Sequence, residues 1–503
     1  MRPVHVLAFL LSVWAGLALI GWMLPSDLRL SDGLALRIPR ATDLFDAEEE
    51  KVDISDILAV VTDSAATVDT EALADSLPAA DTTTVVEPFV FDSTQLRPLE
   101  ERIALHYPNG DKTVLWPIFQ KLEAARSGKQ PMRIMHYGDS QLEGDRITAY
   151  LRNKLQTQFG GTGPGLFPVA DIVPSFSIDR VISDNWKRYS VMGRKDPTQH
   201  HDRFGALSSF SRFTPILPDT VPLDSVEQEA TVALRPLRRA YGKARQYTKV
   251  KLYFGWHRAP VTIELRNKGE LVKSEEVDPA DRLFIRTWSF ASTPEDLLLT
   301  FKGVDSPDVF GISLEGSTGI CMDNIAARGG AGYEFRKADQ GLLSAMYADL
   351  DVEMLILQYG GNVIPNLKGP EDAEQYGRFF GAQIARFKRM LPGVSIIVIG
   401  PSDMSIKEGE HYVTRPLLEE VRDAMKTNTL AQGAVFWDMY EAMGGRNSMV
   451  SWVEADPPLA ATDYTHFSPQ GAKKVGELFY TALINDFSAY YGAKQEGVRE
   501  VKK

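Results

Sequence analysis

Residues 133–141, which read RIMHYGDSQ, decide the fold of this chain. Residues 133–137 are short and apolar enough for a buried strand, and residues 145–151 read DRITAYL, a pattern typical of a helix that Asp145 caps. Ser140 then lies at the carboxyl end of a strand, where open α/β sheets place their ligands. Since a serine hydroxyl becomes a nucleophile when a base takes its proton, Ser140 is a candidate nucleophile.

A candidate base lies more than 300 residues later, in the stretch DYTH at 463–466. His466 can accept the serine proton, and Asp463 can hold and orient the imidazole. Each motif alone has a plainer interpretation, because Gly-Asp-Ser is usually a turn and Asp-x-x-His is more often the start of a helix. Together the two motifs predict a Ser-His-Asp hydrolase.

Two apolar segments between these motifs also end on glycine. Residues 321–330 read CMDNIAARGG, and residues 355–362 read LILQYGGN. Both patterns are typical of buried strands that close on a turn. Ser140, a glycine of the first segment, Asn362 and His466 therefore lie at or near the ends of core elements, in that order along the chain.

This order of Ser, Gly, Asn and His resembles the SGNH, or GDSL-type, hydrolase family. Residues 138–140 (GDS) match its nucleophile block, with Gln141 where the family often has leucine, and residues 463–466 match its last block without departure. The resemblance covers roughly residues 130–158 and 320–490, and four ordered blocks are far more specific than one.

The two middle blocks match less completely. Gly329 matches the second block, with Gly330 as an alternative, and Asn362 matches the third, although Val363 replaces the aspartate that commonly follows. The departures at 141 and 363 flank the catalytic positions, so they bear on substrate detail more than on chemistry.

The resemblance implies an α/β fold, a three-layer α/β/α hydrolase with a flavodoxin-like parallel sheet. It also implies that the backbone N–H groups of Ser140 and Gly329 and the side-chain amide of Asn362 form an oxyanion hole. Read alone, Asn362 would be a turn asparagine and Gly329 a conformational glycine. The predicted hydrolase domain spans residues 96–159 and 320–492, followed by a tail at 493–503.

The carboxyl-terminal half alternates between helix and strand patterns, as a parallel sheet covered on both faces requires. The predicted elements are a helix over 376–387, a strand over 394–399, a helix over 417–425, a strand over 434–437 and a helix over 469–490.

Residues 160–319 are too long for a connecting loop and rich in strand patterns, which predict an inserted β-sandwich or jelly roll. The ends of this insert, near Gly160 and Gly319, should lie close together so that the chain can rejoin one sheet. The arrangement resembles bacterial peptidoglycan and polysaccharide O-acetylesterases, in which a carbohydrate-binding-like β domain interrupts the hydrolase. A purely structural insert remains an equal alternative.

Four features of the insert have two interpretations each. The side chains of Trp186, Trp256 and Trp288 either stack on sugar faces or belong to the core, and the run HHD at 200–202 either holds a metal or is a loop. We expect no metal site, because no Cys/His cluster has zinc-ligand spacing. We also expect no cofactor, because nucleotide-binding motifs are lacking.

The amino terminus resembles a membrane anchor. Residues 4–24 contain no acid, lysine or arginine, and 21 such residues can cross about 30 Å of hydrocarbon as a helix. We expect residues 1–25 to form a transmembrane signal-anchor, with a cleaved signal peptide as the alternative. Arginines after the helix outnumber those before it, which favours a cytoplasmic bulk, but the resemblance implies a periplasmic catalytic domain on a bacterial inner membrane.

Residues 26–95 carry 16 acidic and 4 basic residues, a balance of −12 that equals the net charge of the whole chain. They predict an acidic disordered linker in which residues 52–58 can form a docking strand or helix. The rest of the chain is near neutral, so no nucleic-acid partner is expected.

Three functions remain from the sequence. The first is an esterase that removes O-acetyl groups from an acetylated envelope or exported glycan. The second is an O-acetyltransferase supplied by a membrane O-acyltransferase partner, and the third is a non-catalytic glycan-binding protein. The complete set of catalytic residues disfavours the third.

Overall fold

The structure is a computed structural model that describes residues 3–23, 27–31, 34–37, 52–62, 89–223 and 225–501. Its α-helices over these residues are α1 (Pro3–Met23), α2 (Ser55–Thr62), α3 (Trp116–Ala124), α4 (Thr148–Phe159), α5 (Gln340–Leu350), α6 (Pro370–Met390), α7 (Leu418–Ala431), α8 (Met439–Ala442), α9 (Ser448–Glu454) and α10 (Pro469–Val501). Its strands are β1 (Asp27–Ser31), β2 (Leu34–Arg37), β3 (Leu105–His106), β4 (Met132–Gly138), β5 (Gly165–Phe167), β6 (Ile178–Ile182), β7 (Lys187–Ser190), β8 (Ser209–Arg212), β9 (Gln228–Pro236), β10 (Lys249–His257), β11 (Val261–Asn267), β12 (Glu270–Val277), β13 (Ala280–Ser289), β14 (Leu297–Gly303), β15 (Asp308–Glu315), β16 (Ile320–Ala326), β17 (Val352–Gln358), β18 (Ser395–Ile399), β19 (Ser405–Glu408), β20 (His411–Thr414) and β21 (Val435–Trp437).

The chain forms two units, of which the first spans residues 1–51. Here the apolar run forms α1, and β1 pairs antiparallel with β2. Over the described residues, no helix combines the length and apolarity needed to span a bilayer. Most of the predicted linker, at 38–51 and 63–88, lies outside the described residues.

In the second unit, the alternating helices and strands build a sheet in the order β16-β4-β17-β18-β21-β3. The first five strands are parallel, and β3 pairs antiparallel with β21. Numbered along the chain, the parallel strands have the spatial order 2-1-3-4-5 of flavodoxin-like folds. The predicted flavodoxin-like sheet is therefore confirmed, and its strand order reverses between β4 and β17.

Helices cover both faces of this sheet, which is why every residue of β4 is buried. Ile134 packs into one apolar cluster with residues of α3, α4 and α10. The next residue, Met135, faces the other side and packs with residues of α5, α6 and α7. The alternation of side chains along a strand thus produces the expected three layers.

Two stretches of the predicted linker pack against the hydrolase. Ile54, just before α2, and Ile57 in its first turn are buried, and Ser451 Oγ donates a hydrogen bond to the carbonyl of Val52 at 2.8 Å. Further along, the ring of Phe89 stacks on Phe159 with 5.7 Å between centroids. The docking segment is therefore a helix.

Asp145 does not cap α4, contrary to the prediction. The helix begins at Thr148, and the Asp145 carboxylate instead accepts bonds from Arg152 Nη1 at 2.7 Å and Nη2 at 3.1 Å. Arg152 is buried, and leaving a buried charge unpaired costs about 3–5 kcal/mol, against about 1 kcal/mol for losing a cap. The Asp145 carboxylate therefore pairs with Arg152 and does not cap the helix.

The insert consists of two antiparallel sheets. One has the order β13-β10-β15-β8-β7, with β5 also paired to β15, and the other has the order β12-β11-β14-β9-β6. Alternate residues of β10, such as Leu252 and Phe254, pack in an apolar cluster with Leu299 of β14 and Ile263 of β11. The two sheets thus enclose a core of their own.

The insert also shares a core with the hydrolase. Tyr253 of β10 and Phe310 of β15 belong to the same buried cluster as Met346 of α5. The two ends of the insert meet, as expected, because Ile320 N donates to the carbonyl of Gly160 at 2.8 Å. Glycine is required at position 161, because its φ is +106° and a Cβ there would lie only 2.3 Å from Ile320 N.

Candidate active site

Ser140 begins the 3₁₀ turn Ser140–Asp145 directly after β4. Asp139 caps this turn, because its Oδ1 accepts a hydrogen bond from Gln141 N at 2.9 Å. Gly138 allows the close approach of β17, since a Cβ there would lie 2.9 Å from the carbonyl oxygen of Gln358. The turn therefore places Ser140 at the carboxyl edge of the sheet, beside the reversal of strand order.

His466 reaches this serine from the loop before α10. Ser140 Oγ lies 2.9 Å from His466 Nε2, and His466 Nδ1 lies 2.8 Å from Asp463 Oδ2. The other carboxylate oxygen of Asp463 accepts bonds from the backbone N–H groups of Thr465 and His466, both at 3.0 Å. The structure thus joins the three predicted side chains in one hydrogen-bonded chain.

The ionisation of Asp463 sets the roles in this chain. Burial alone would raise its pKa, but hydrogen bonds from the backbone and imidazole of His466 and from Thr465 N–H hold the pKa below its usual value. A carboxylate accepts the proton on Nδ1, which leaves Nε2 as a proton acceptor facing Ser140 Oγ. This arrangement can activate the serine as a nucleophile.

Asn362 lies at the same edge of the sheet, four residues after the end of β17. Its Nδ2 donates to Asp139 Oδ2 at 2.9 Å and to the carbonyl of Gly330 at 3.0 Å. Both amide hydrogens therefore have protein partners, and an oxyanion would have to share or displace one of them.

The two alternative glycines differ in what their N–H groups do. Gly330 N donates to the carbonyl of Ala327 at 2.8 Å, so this N–H is already used. Gly329 is exposed, has φ +76° and makes no backbone hydrogen bond through its N–H within the described part of the chain. Of the pair, Gly329 is therefore the one able to donate to a ligand.

Asp139, which sequence analysis treated only as part of the motif, is buried beneath the site. Burial raises its pKa to about 6, although a hydrogen bond from Gln141 N and the charge of His466 act in the opposite direction. Near pH 6, Asp139 therefore changes between a neutral acid and a carboxylate. The hydrogen-bond acceptor of Asn362 Nδ2 changes with it.

Two side chains without a predicted role, Gln141 and Arg146, connect the serine turn to the histidine loop. Gln141 Nε2 donates to the carbonyl of Thr465 at 2.8 Å, and Gln141 Oε1 accepts from Phe467 N at 3.2 Å. Arg146 donates to the carbonyls of Ser140 and Phe467, each at 2.9 Å. The departure from leucine at 141 was the one signal for this connection in the sequence.

A small cavity of about 70 Å³ opens beside Ser140 and His466. Asn362, Tyr359 and Met404 are among its lining residues. A cavity of this kind holds one water molecule when its volume reaches about 10–15 Å³, so this one has room for a small acyl group.

The other candidates lie away from this cavity. Trp186 is buried against Phe213 and Phe301, while Trp256 and Trp288 are half-buried. His201 Nε2 lies 3.4 Å from Asp308, and burial lowers the His201 pKa to about 3. Among the described residues, no group of His, Cys, Asp and Glu is placed to hold a metal ion.

Comparison with solved structures shows what the fold of this chain is similar to. The structure of a peptidoglycan O-acetylesterase matches with a TM-score of 0.58 and 21% identity, covering 74% of this chain and 96% of that one. A putative GDSL-like lipase from Parabacteroides merdae matches at 17% identity and a TM-score of 0.26, over 32% of this chain and 72% of its own. No protein-family model and no curated protein matches the chain.

The first of these likenesses extends over almost the whole length of the matched structure. With the strand order 2-1-3-4-5, it defines the fold as that of the SGNH, or GDSL-type, hydrolases. The resemblance inferred from the ordered motifs is confirmed at the level of the fold.

Proposed function

We propose that the protein is a serine esterase that removes O-acetyl groups from a carbohydrate polymer of the cell envelope. One observation carries the proposal. Ser140 Oγ lies 2.9 Å from His466 Nε2, His466 Nδ1 lies 2.8 Å from Asp463 Oδ2, and a cavity of about 70 Å³ opens beside Ser140 and His466. The fold shared with a peptidoglycan O-acetylesterase supports the choice of an acetylated glycan.

In the proposed reaction, Ser140 Oγ attacks the ester carbonyl while His466 Nε2 takes its proton. The oxyanion receives hydrogen bonds from Ser140 N, Gly329 N and the Asn362 amide, each able to stabilise the transition state by about 3 kcal/mol. The sugar oxygen leaves with the proton from His466. Water, deprotonated by the same imidazole, then releases acetate from Ser140.

Incubation of the purified enzyme with O-acetylated oligosaccharides and with 4-nitrophenyl acetate tests the proposal. We expect acetate and the deacetylated sugar in equal amounts, and both should vanish in Ser140→Ala. A product heavier by one acetyl group would mean transfer to a sugar hydroxyl, as expected of the O-acetyltransferase alternative. No turnover of any ester would contradict the proposal.

The proposed location is the periplasmic side of a bacterial inner membrane, with residues 1–25 as the anchor. This proposal rests on the uncharged apolar run of residues 4–24. Fractionation of cells that express the full chain and a chain lacking residues 1–25 tests it. Recovery of both chains in the same fraction would contradict the anchor.

A further inference from the structure

A second, larger cavity lies beside the active site. It has a volume of about 340 Å³, and both the hydrolase and the insert line it. From the hydrolase come residues of the turn Ser140–Asp145 and of the segment 324–328. From the insert come residues of β6 and β7, the edge strands of its two sheets.

This cavity adjoins the catalytic groups through continuous backbone. Glu143 lines it and lies three residues after Ser140, so the two Cα atoms are within about 11 Å of each other. Arg328, also in the lining, directly precedes Gly329. The lining of the larger cavity thus begins three residues after the nucleophile.

Four arginines and three carboxylates line the cavity, an excess of one positive charge. Two of the carboxylates are matched one to one. Asp145 binds the buried Arg152, and Glu143 accepts two bonds from Arg328, at 2.7 and 2.6 Å. The unmatched charge therefore belongs to the remaining group.

That group consists of Asp171, Arg180 and Arg188. Asp171 Oδ1 accepts from Arg188 Nη1 at 2.8 Å, while its Oδ2 lies 3.6 Å from Arg180 Nη2. One carboxylate thus serves two guanidinium groups. Among the described residues, no group accepts a hydrogen bond from the buried Arg188 Nε. A buried N–H in that state is costly unless a ligand accepts from it.

The surroundings favour an added anion. Burial lowers the pKa of Arg180, the charge of Asp171 offsets this, and the charge of Arg188 lowers it further. The Arg180 guanidinium also lies over the ring of Phe167, 5.6 Å from its centroid, which fixes the plane of its donors. Planar guanidinium forks in fixed positions recognise carboxylates with two parallel hydrogen bonds.

We propose that this cavity binds a carboxylate-bearing sugar of the glycan, held by Arg180 and Arg188, next to the acetylated residue at Ser140. The proposal rests on the proposed function and narrows its substrate class to acidic polysaccharides. Ser140 then acts on an acetyl group whose position along the polymer is set by the neighbouring carboxylate.

Calorimetry with the full chain tests binding without reference to catalysis. The ligands are a deacetylated oligouronide and a neutral xylo-oligosaccharide of the same length. We expect the oligouronide to bind more tightly and to lose affinity as ionic strength rises. This comparison needs only the unaltered enzyme. Equal affinity for the two ligands, or tighter binding of the neutral one, would overturn the proposal.

Substitution of a single arginine tests whether Arg188 binds the carboxylate. Arg188→Gln should weaken oligouronide binding roughly tenfold or more, as expected for a lost charge-assisted hydrogen bond. Arg235→Gln is the matched control, since Arg235 pairs with Asp296 at the same 2.8 Å on another part of the insert. The affinity of Arg235→Gln for oligouronide should stay within about twofold of the parent affinity. Equal losses in the two variants, or none in either, would overturn the role of Arg188.

Activity measurements separate this inference from the proposed function. Arg188→Gln should raise the KM for O-acetylated oligouronide roughly tenfold. Its kcat on 4-nitrophenyl acetate should stay within about twofold of the parent value. An equal fall on both esters would mean that Arg188 only supports the catalytic turn. If the unaltered enzyme binds oligouronide but hydrolyses no ester, the binding inference stands and the proposed function fails.

Discussion

Gln141 holds the backbone on both sides of His466. Its Nε2 donates to the carbonyl of residue 465 at 2.8 Å, and its Oε1 accepts from the N–H of residue 467 at 3.2 Å. The residue that follows the nucleophile therefore fixes the loop that carries the base. One amide side chain thus connects residues 326 positions apart in the sequence and holds Ser140 and His466 in their relative positions.

The substitution Gln141→Leu removes both bonds. We expect kcat on 4-nitrophenyl acetate to fall between about tenfold and a hundredfold with KM within about twofold, because a loosened imidazole is less often aligned with Ser140 Oγ. Gln383→Leu, at an equally buried glutamine on α6, is the control and should keep kcat. Equal kcat values for Gln141→Leu and the parent would show that the loop is held by other contacts.

The variant Ser140→Ala should lose ester turnover by roughly 10⁴-fold or more while it stays folded. The matched control is Ser402→Ala, since Ser402 lines the same small cavity without contacting His466 in the described structure. Its rate should stay within a few fold. Initial rates and thermal unfolding of both variants check this expectation, and the opposite ranking would assign the nucleophile to Ser402.

The raised pKa of Asp139 links stability to pH. In the folded chain this pKa rises from 3.8 to about 6, so the folded state holds the proton more tightly than the unfolded state. The contribution of Asp139 to the free energy of unfolding is therefore greatest below pH 4 and falls as pH rises towards 6, by about 3 kcal/mol. Asp139→Asn cannot titrate at this position, so urea unfolding of both proteins from pH 4 to 7 should show the parent losing about that amount of stability relative to the variant. A difference that is constant with pH would exclude the shift.

Glu315 of the insert tests how strongly the insert and the hydrolase are joined. Its carboxylate and that of Asp323 bind Arg133 on β4, and all three side chains are buried. Burial alone would raise the pKa of Glu315, but Arg133 holds it below its usual value, so the pair is ionised. Glu315→Gln should lower the free energy of unfolding by about 1.5–3 kcal/mol in urea titrations, because it weakens a charge-assisted hydrogen bond to a buried guanidinium that keeps Asp323 as its other partner.

The control for Glu315 is Glu295→Gln, at an exposed carboxylate that pairs with Lys268 at 2.9 Å. An exposed pair contributes at most about 1 kcal/mol, so this variant should unfold almost like the parent. If the two variants lose the same stability, the pair at Arg133 does not join the insert to the hydrolase as described.

The sheet and the candidate site could be predicted because both depend on local patterns. Buried parallel strands read as short apolar runs, and Ser140 and Asn362 each follow such a run by a few residues. Asp463 and His466 were found through their spacing in a motif before α10. Ser140, His466 and Asp463 lie within hydrogen-bonding distance, and their catalytic roles stay a prediction.

The sequence could not show which polar residues would be paired with distant charges. Asp145 has the right type and position for a cap, but Arg152 competes for its carboxylate once both are buried. Gln141 looked like a departure from a motif, because its partners lie more than 300 residues away. Long-range pairing of this kind depends on the assembled core, where the effective dielectric constant is low.

The meeting of Gly160 and Ile320 has a consequence for the order of folding during synthesis. Strand β4 ends at Gly138, and both of its neighbours, β16 and β17, begin at Ile320 or later. A ribosome that adds about 5–20 residues per second therefore leaves this central strand without partners for roughly 10–40 s. Every strand of the two insert sheets is complete by Glu315, before either partner has been made. The two sheets of the insert can thus form first on the nascent chain, and the end of β15 then leads directly into the strands that complete the hydrolase sheet.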